Sequence, residues 1–162
     1  AVSKYQDFDI YVACAPNLDE RFFNDYKEKF SHVRFVSGRT YELLMETDYA
    51  IVTSGTATLE TALFRVPQVV CYKSSFASYF IAKMLVHIKF ISLVNLIMNK
   101  EIVKELIQSD VNISNIQKEM DLLITNEGYR NGMLKGYDGL INKMGKEGCS
   151  RKIAQDLIEQ YS

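Results

Sequence analysis

A glycine and small hydroxyl residues follow directly after an apolar run, and this segment has the residue types to do chemistry. Residues 49–60 read Tyr-Ala-Ile-Val-Thr-Ser-Gly-Thr-Ala-Thr-Leu-Glu. An apolar strand ends at Thr53, and Ser54, Gly55 and Thr56 lead into a helix. Glycine permits close backbone approach, and a helix start presents unpaired amides and the positive end of the helix dipole. The pattern therefore predicts a turn that binds a phosphate or a diphosphate.

A carboxylate lies one helical turn beyond this predicted phosphate site. Glu60 is four residues after Thr56, so the two side chains share one helix face. There the carboxylate can accept hydrogen bonds from two hydroxyls of a ribose. The buried stripe of the same helix is predicted to consist of Leu59, Ala62, Leu63 and Val66. A plain strand, turn and helix with a surface glutamate is the alternative, and spacing alone does not separate the two.

Strands and helices alternate in the half of the chain that must position this segment. Apolar runs predict strands at 8–13, 33–36, 49–53, 68–72 and 90–93. Amphipathic runs predict helices at 19–30, 40–46 and 56–65. The alternation indicates an α/β fold: a doubly wound, mostly parallel, Rossmann-like sheet. Ligands bind at the carboxyl ends of such strands, so the residues after Thr53, Tyr72 and Leu93 are the expected site.

The second half of the chain is predicted to be helical. Ser114 and Gln117 have the spacing of a capping box that opens a helix. Four glycines lie within 127–144, which predicts a weak or broken helix there. A last amphipathic helix is predicted over 150–161.

Composition predicts one globular domain and excludes several classes of protein. The 162 residues are 48% hydrophobic and 24% charged, with a formal net charge of −1. We expect a single domain with a sheet within about 1–110 and a helical region over 111–162. No basic cluster points to nucleic acid. Three cysteines without a Cys-x-x-Cys pair, at 14, 71 and 149, predict reduced thiols rather than disulfides or zinc. No signal peptide is recognised, so a cytoplasmic protein is expected.

Residues 54–60 resemble the Ser-Gly-Thr-Ala-x-Leu-Glu signature of lipid-A-disaccharide synthases, a GT-B-type glycosyltransferase family. Four further segments are similar in the same order: 69–73, 82–86, Ser-Leu-Val-Asn-Leu at 92–96 and Glu-Leu-Ile-Gln at 105–108. The resemblance implies the carboxy-terminal, nucleotide-sugar-binding half of such an enzyme. Two departures put the shape of one loop in question. Val94 stands where the family has proline, and Met98-Asn99 where it usually has Ala-Gly.

The resemblance implies a UDP-sugar site. Its residues would be Ser54, Gly55, Thr56, Thr58, Glu60, Lys73, Asn95, Glu105 and Gln108. The first four would face the diphosphate, Glu60 would hold the ribose, and Lys73 would neutralise phosphate charge. Asn95 would donate its amide to nucleotide or sugar, while Glu105 and Gln108 would line the crevice from one face of a helix. A solvated lysine, a turn asparagine and a polar outer helix face are the respective alternatives.

The resemblance also implies the reaction and its partners. UDP-diacylglucosamine would donate its sugar, with inversion, to diacylglucosamine 1-phosphate. No cofactor or metal is expected. This chain would supply no catalytic residue, because the base would lie in an amino-terminal acceptor domain that it lacks. Alone, the chain should bind UDP weakly or not at all and should be inactive.

Other properties of the complete protein are also predicted. We expect it to be about twice this length, and a homodimer is left open. The apolar residues 75–90 are too short to span a bilayer and predict a buried helix, with peripheral contact at the inner membrane as the alternative. The alternatives are another UDP-sugar enzyme, such as a MurG-like transferase or a UDP-N-acetylglucosamine 2-epimerase, and a non-catalytic α/β interaction module.

Overall fold

Parallel strands form two sheets in the computed structural model, which describes residues 1–15, 19, 21–53, 55–74 and 89–145. The first sheet contains β1 (Ile10–Cys14) and β2 (Val33–Ser37). The second contains β3 (Ala50–Thr53), β4 (Gln68–Tyr72) and β5 (Lys104–Ile107), in that order. Every pair is parallel. The predicted α/β class is confirmed, and the arrangement is compatible with a Rossmann-like GT-B half.

Helices connect the strands and cover the second sheet. They are α1 (Arg21–Lys29), α2 (Thr40–Glu46), α3 (Thr56–Leu63), α4 (Leu93–Met98), α5 (Ile113–Thr125) and α6 (Glu127–Met144). Short 3-10 helices span Val2–Lys4 and Gln108–Asp110. The predicted bounds of α2 are confirmed. The helix predicted over 150–161 and most of the apolar segment 75–90 lie outside the described residues.

The register of the second sheet brings three strand ends to one edge. Thr53 of β3 is aligned with Cys71 of β4, and Tyr72 is aligned with Ile107 of β5. Because the strands are parallel, their carboxyl ends share this edge, where ligands bind in open α/β sheets. The edge is called the carboxyl edge below.

The core of the molecule surrounds β4. Val69 and Val70 are buried on this central strand, as expected for a strand covered on both faces. The core residues packed around them are Ala62, Val94, Val103, Leu106, Met120, Leu123, Met133, Tyr137 and Leu140. By contrast, α1 and α2 contain no buried residue. The sheet of β1 and β2 is therefore much less covered than the sheet around β4.

The strand predicted at 90–93 is wrong, and so is the helix face predicted over 101–108. Ser92 instead caps α4, its hydroxyl accepting from the Asn95 amide at 3.3 Å. The fifth strand is Lys104–Ile107, which pairs with β4. The segments 90–93 and 101–108 are both too short for periodicity to separate helix from strand. The free edge of β4 pairs with the later segment, which therefore forms the strand.

Two predictions for the helical half also fail. The cap of α5 is Asn112, whose side chain accepts from the Asn115 amide at 2.9 Å, so Ser114 and Gln117 are not its capping box. The helix α6 is continuous despite its four glycines. Gly136 faces the side chain of Ile102 so closely that a Cβ there would collide with it. Close packing thus offsets the weak helix propensity of glycine.

Candidate functional site

The turn between β3 and α3 is open to solvent. Gly55 precedes α3 with φ 140° and ψ −160°, a conformation that L side chains rarely adopt. No side chain of a described residue caps the helix, and Gly55, Thr56 and Ala57 are exposed. The Thr58 amide donates to the Gly55 carbonyl at 3.2 Å, which leaves the Thr56 and Ala57 amides without an intrahelical partner. This terminus suits an anion. Ser54 lies outside the described residues.

Thr58 supports this turn from inside the molecule rather than facing a ligand. It is fully buried, and its hydroxyl donates to the Gly55 carbonyl at 2.7 Å. It therefore has no exposed surface with which to contact a diphosphate, contrary to the predicted role. The buried face of α3 also differs from the predicted stripe, since Thr58, Thr61 and Ala62 are buried and Leu63 is 42% exposed.

Gln68 is a supporting residue that the sequence analysis passed over. It is fully buried at the start of β4, and its Nε2 donates to the Thr58 carbonyl at 2.9 Å and to the Tyr137 hydroxyl at 3.3 Å. That hydroxyl donates in turn to the Val66 carbonyl at 3.2 Å. Burial raises the pKa of Tyr137, so it remains a donor. These hydrogen bonds connect α6 to α3. The sequence feature that could have identified Gln68 is a polar residue at the start of an otherwise apolar strand.

Glu60 lies on the outer side of α3, partly exposed, and contacts α2. The Tyr41 hydroxyl donates to Glu60 Oε1 at 3.5 Å. The Tyr41 ring stacks on Phe64 with centroids 5.6 Å apart and an interplanar angle of 21°. Glu60 shares a helix face with the exposed Thr56, as predicted from the spacing. Its carboxylate is thus held one turn from the open amides.

Lys73 is exposed at the carboxyl edge. Since Thr53 is aligned with Cys71, Gly55 and Lys73 each lie two residues beyond aligned positions of neighbouring strands. No carboxylate in the described part of the chain forms an ion pair with Lys73. Its charge is therefore available to an anion bound at this edge.

Gln108 also reaches the carboxyl edge, as the first residue of the short 3-10 helix that directly follows β5. It has a positive φ of 52°. Its Oε1 accepts from the Ser74 amide at 3.3 Å, and its Nε2 donates to the Ser74 hydroxyl at 3.1 Å. Gln108 thereby fixes the segment that leaves β4, directly after Lys73.

Glu105 binds the start of α4 with both of its carboxylate oxygens. Oε2 accepts from the Ile91 amide at 2.8 Å. Oε1 accepts from the Ser92 amide at 2.9 Å, the Ser92 hydroxyl at 2.7 Å and the Asn95 side-chain amide at 2.8 Å. The negative charge lies at the positive end of this helix, which is a stabilising position. Glu105 thus positions α4 instead of lining a crevice.

Asn95 has all its side-chain hydrogen-bonding groups engaged within the protein. It is fully buried. Its Oδ1 accepts from the amides of Ile102 and Val103 at 2.7 and 3.0 Å, and its Nδ2 donates to the Val103 carbonyl at 2.9 Å as well as to Glu105. No amide hydrogen is left for a nucleotide or sugar, contrary to the prediction. The two short motifs at 92–95 and 105–108 are therefore held together by one buried polar cluster.

The departures at Val94 and Met98-Asn99 fit the shape of this region. Val94 is fully buried in the first turn of α4. Asn99 ends the helix in the left-handed conformation with φ 50°. Asparagine is the residue that most often replaces glycine in such a helix cap. The loop that these changes put in question is thus a regular helix end.

The described ranges contain neither a cluster of metal ligands nor a membrane-spanning helix. No group of three or more His, Cys, Asp or Glu side chains there could hold a metal ion. No helix in that part of the chain is long and apolar enough to cross a bilayer.

Fold and site together define a parallel α/β domain with an anion-receptive helix terminus and a lysine at the carboxyl edge of its sheet. Comparison with known families agrees with the resemblance in the sequence. The chain belongs to the lipid-A-disaccharide synthetase family, whose model matches residues 1–156.

Individual relatives cover most of the chain. A lipid-A-disaccharide synthase of Anaeromyxobacter dehalogenans is 33% identical over 156 residues, which is 95% of this chain and 41% of the relative. One of Syntrophus aciditrophicus is 37% identical over 142 residues, 86% of this chain and 37% of the relative. The chain thus spans about two fifths of the length of the curated relatives that it matches. The match argues against the alternative of a MurG-like transferase or a 2-epimerase.

Proposed function

We propose that this chain is the UDP-sugar-binding part of a lipid-A-disaccharide synthase, an inverting glycosyltransferase. One observation carries the proposal. In a chain of this family, the uncapped start of α3 lies at the carboxyl edge, with Lys73 at the neighbouring strand end. Amides and a cation in this arrangement suit a diphosphate.

Each exposed residue of the site has a role in this proposal. The diphosphate lies over Gly55 and Thr56, where a Cβ on the first residue would strain the backbone. Glu60 accepts hydrogen bonds from the ribose hydroxyls. Lys73 offsets part of the diphosphate charge, while Gln108 keeps the Lys73 segment in place. Ser54 keeps its predicted role at the diphosphate.

The proposed reaction divides its work between two parts of the complete protein. A hydroxyl of diacylglucosamine 1-phosphate attacks the anomeric carbon of UDP-diacylglucosamine. The bond from that carbon to the diphosphate breaks, and UDP leaves with the electron pair. The base that takes the hydroxyl proton lies in the acceptor domain outside this chain. Helix amides and Lys73 stabilise the departing charge, which is the kind of electrostatic stabilisation that enzymes rely on most. We place the complete protein in the cytoplasm, at the surface of the inner membrane, because both of its proposed substrates carry acyl chains.

Calorimetry on the complete protein tests the nucleotide site. UDP should release heat on binding and ADP should bind much more weakly. Glu60→Ala should weaken UDP binding by about 10- to 100-fold, since a charged acceptor of ribose hydroxyls is lost. The control is Glu42→Ala, which removes an exposed glutamate of α2 whose ion-pair partner among the described residues is Arg39. No heat with UDP, or equal affinity for UDP and ADP, would leave a non-catalytic interaction module as the better description.

The lysine is tested in the same way. Lys73→Ala should weaken UDP binding several-fold and weaken uridine binding little, because uridine lacks the phosphates. Lys100→Ala is the matched control, since Lys100 is also exposed. Equal losses for UDP and uridine would contradict a contact between Lys73 and the diphosphate.

A further inference from the structure

One peptide group at the start of α3 determines whether the turn can receive an anion. The Gly55 carbonyl and the Thr56 amide belong to this group, which is trans. In a planar trans peptide the C=O and the N–H point in opposite directions. The carbonyl accepts hydrogen bonds from Thr58, one turn into α3, so it points into the helix. The Thr56 amide therefore points away from the helix, towards solvent.

The glycine in this group does not hold it in place by itself. Gly55 has φ 140° and ψ −160°, and without a Cβ it can change its backbone conformation at little cost. Rotation of the peptide group would turn the Thr56 amide inwards and the Gly55 carbonyl outwards. A carbonyl oxygen carries a partial negative charge, which repels a phosphate. The turn therefore needs a contact that fixes the carbonyl inwards.

The Thr58 side chain makes that contact. Its hydroxyl donates to the Gly55 carbonyl at 2.7 Å, while the Thr58 amide donates to the same oxygen at 3.2 Å. In helices a threonine hydroxyl can bond the carbonyl three residues earlier, because only a few rotamers are open to a β-branched side chain. Thr58 is fully buried, so solvent does not compete for its hydroxyl. The hydroxyl thus makes the shorter of the two bonds that hold the carbonyl inwards.

Thr58 is in turn held by β4 and α6. Gln68 Nε2 donates to the Thr58 carbonyl at 2.9 Å and to the Tyr137 hydroxyl at 3.3 Å. All three side chains are fully buried. Moving the first turn of α3 would break a bond between buried polar groups, which is costly. The turn at Gly55 is therefore fixed from the core of the molecule.

We propose that Thr58 is a positioning residue for the diphosphate: its buried hydroxyl holds the Gly55–Thr56 peptide group with the amide facing the ligand. This inference rests on the proposed function, because it concerns the same anion site. Thr58 then contributes to the affinity for the diphosphate although its side chain touches no ligand. The nucleoside part of UDP lies at Glu60 in the proposed function and should not depend on Thr58.

Binding of UDP, pyrophosphate and uridine to the complete protein tests the role of the hydroxyl. Thr58→Val keeps the branched shape and removes the hydroxyl, so it should weaken UDP and pyrophosphate binding by about 3- to 10-fold. Uridine binding should change less than about twofold. Thr58→Ser keeps the hydroxyl and should restore UDP binding to within about twofold of the original protein.

Thr61→Val is the matched control on the same helix. Thr61 is also buried, and its hydroxyl donates to the Ala57 carbonyl at 2.8 Å. This substitution removes a similar bond but leaves the Gly55–Thr56 peptide group held. It should therefore change the affinities for all three probes by less than about twofold.

The outcomes separate this inference from the proposed function. Loss of UDP and pyrophosphate binding in Thr58→Val, with uridine binding kept and serine restoring it, supports the positioning role. No loss in Thr58→Val, equal losses for UDP and uridine, or the same pattern in Thr61→Val would refute that role, while UDP binding by the original protein would preserve the proposed function. An original protein that binds neither UDP nor pyrophosphate would refute both.

A measurement on the unaltered protein does not depend on whether the variants fold. Pyrophosphate should shift the amide NMR signals of Thr56 and Ala57, whose amides are free to bind it. The Thr58 amide is bonded to the Gly55 carbonyl, so its signal should move much less. A Thr58 signal that moves as far as that of Thr56 would show that the peptide group is not held inwards, and would overturn the inference.

Discussion

Replacing Glu105 by glutamine separates a residue that positions a helix from one that binds a ligand. The substitution keeps the size of the side chain but exchanges one oxygen for an NH2 donor. If the nitrogen takes the place of Oε2, it faces the Ile91 amide and one bond is lost. If it takes the place of Oε1, it faces two Ser92 donors and one from Asn95. The first orientation costs less and sets the expected loss.

The magnitude follows from these contacts. A hydrogen bond to a charged group contributes about 1.5–3 kcal/mol, and the remaining three bonds weaken when the acceptor becomes neutral. The interaction of the carboxylate with the start of α4 is also lost. We therefore expect Glu105→Gln to lower the free energy of unfolding by about 3 kcal/mol.

Urea denaturation of the complete protein measures this loss. Glu101→Gln is the matched control, because Glu101 is exposed and its ion-pair partner in the described part of the chain is Lys104, at 3.2 Å. It should change the free energy of unfolding by less than about 0.5 kcal/mol. A Glu105→Gln protein as stable as the control, but weaker in UDP binding, would refute the positioning role and restore the predicted crevice role.

Three further predictions concern packing, acid and thiol chemistry. Gly136→Ala should destabilise the protein by about 1–3 kcal/mol, because the new methyl group would collide with Ile102. Gly132→Ala has open space around it and should stabilise the protein by up to about 1 kcal/mol. Equal effects of the two substitutions in urea denaturation would contradict the close approach of α6 to Ile102. Hydrogen bonds from the Lys4 ammonium and the Tyr5 hydroxyl hold the pKa of Asp121 below its usual value. The contribution of these contacts to the stability of the fold is therefore present above about pH 3.9 and is lost as the pH falls through the folded pKa of Asp121. NMR should show that the segment containing Lys4 and Tyr5 detaches from α5 in acid. In the Asp121→Asn variant the same segment should be detached at every pH. Burial raises the pKa of the Cys71 thiol, so iodoacetamide at pH 8 should modify it more slowly than in urea, and equal rates by mass spectrometry would disprove that burial.

The local features of the site were predictable because neighbouring residues specify them. The strand, turn and helix around Gly55 follow from an apolar run, a glycine and a run of helix formers. The spacing of Thr56 and Glu60 places them on one helix face whatever surrounds them. Lys73 was placed at a strand end because an apolar strand stops just before it. None of these depends on a distant part of the chain.

The roles of the buried polar residues were not predictable in this way. Thr58 and Asn95 have side chains that suit a ligand equally well, yet both are fully buried and engaged within the protein. Their partners are Gly55 for the first and the strand containing Glu105 for the second. Whether a polar group faces a ligand or the core depends on which elements pack beside it.

The sequence by itself determined the α/β class, the strand, turn and helix around Gly55, and the family, since these depend on local patterns and a motif. The tertiary structure alone decided the region 90–108, where the predicted strand at 90–93 is the approach to α4 and the predicted helix face at 101–108 contains β5. It also decided that α6 continues through its glycines. The physical reason is the same in each case. Short segments have nearly equal local preferences, and the free edge of β4 or a close packing contact supplies the free energy that selects one conformation.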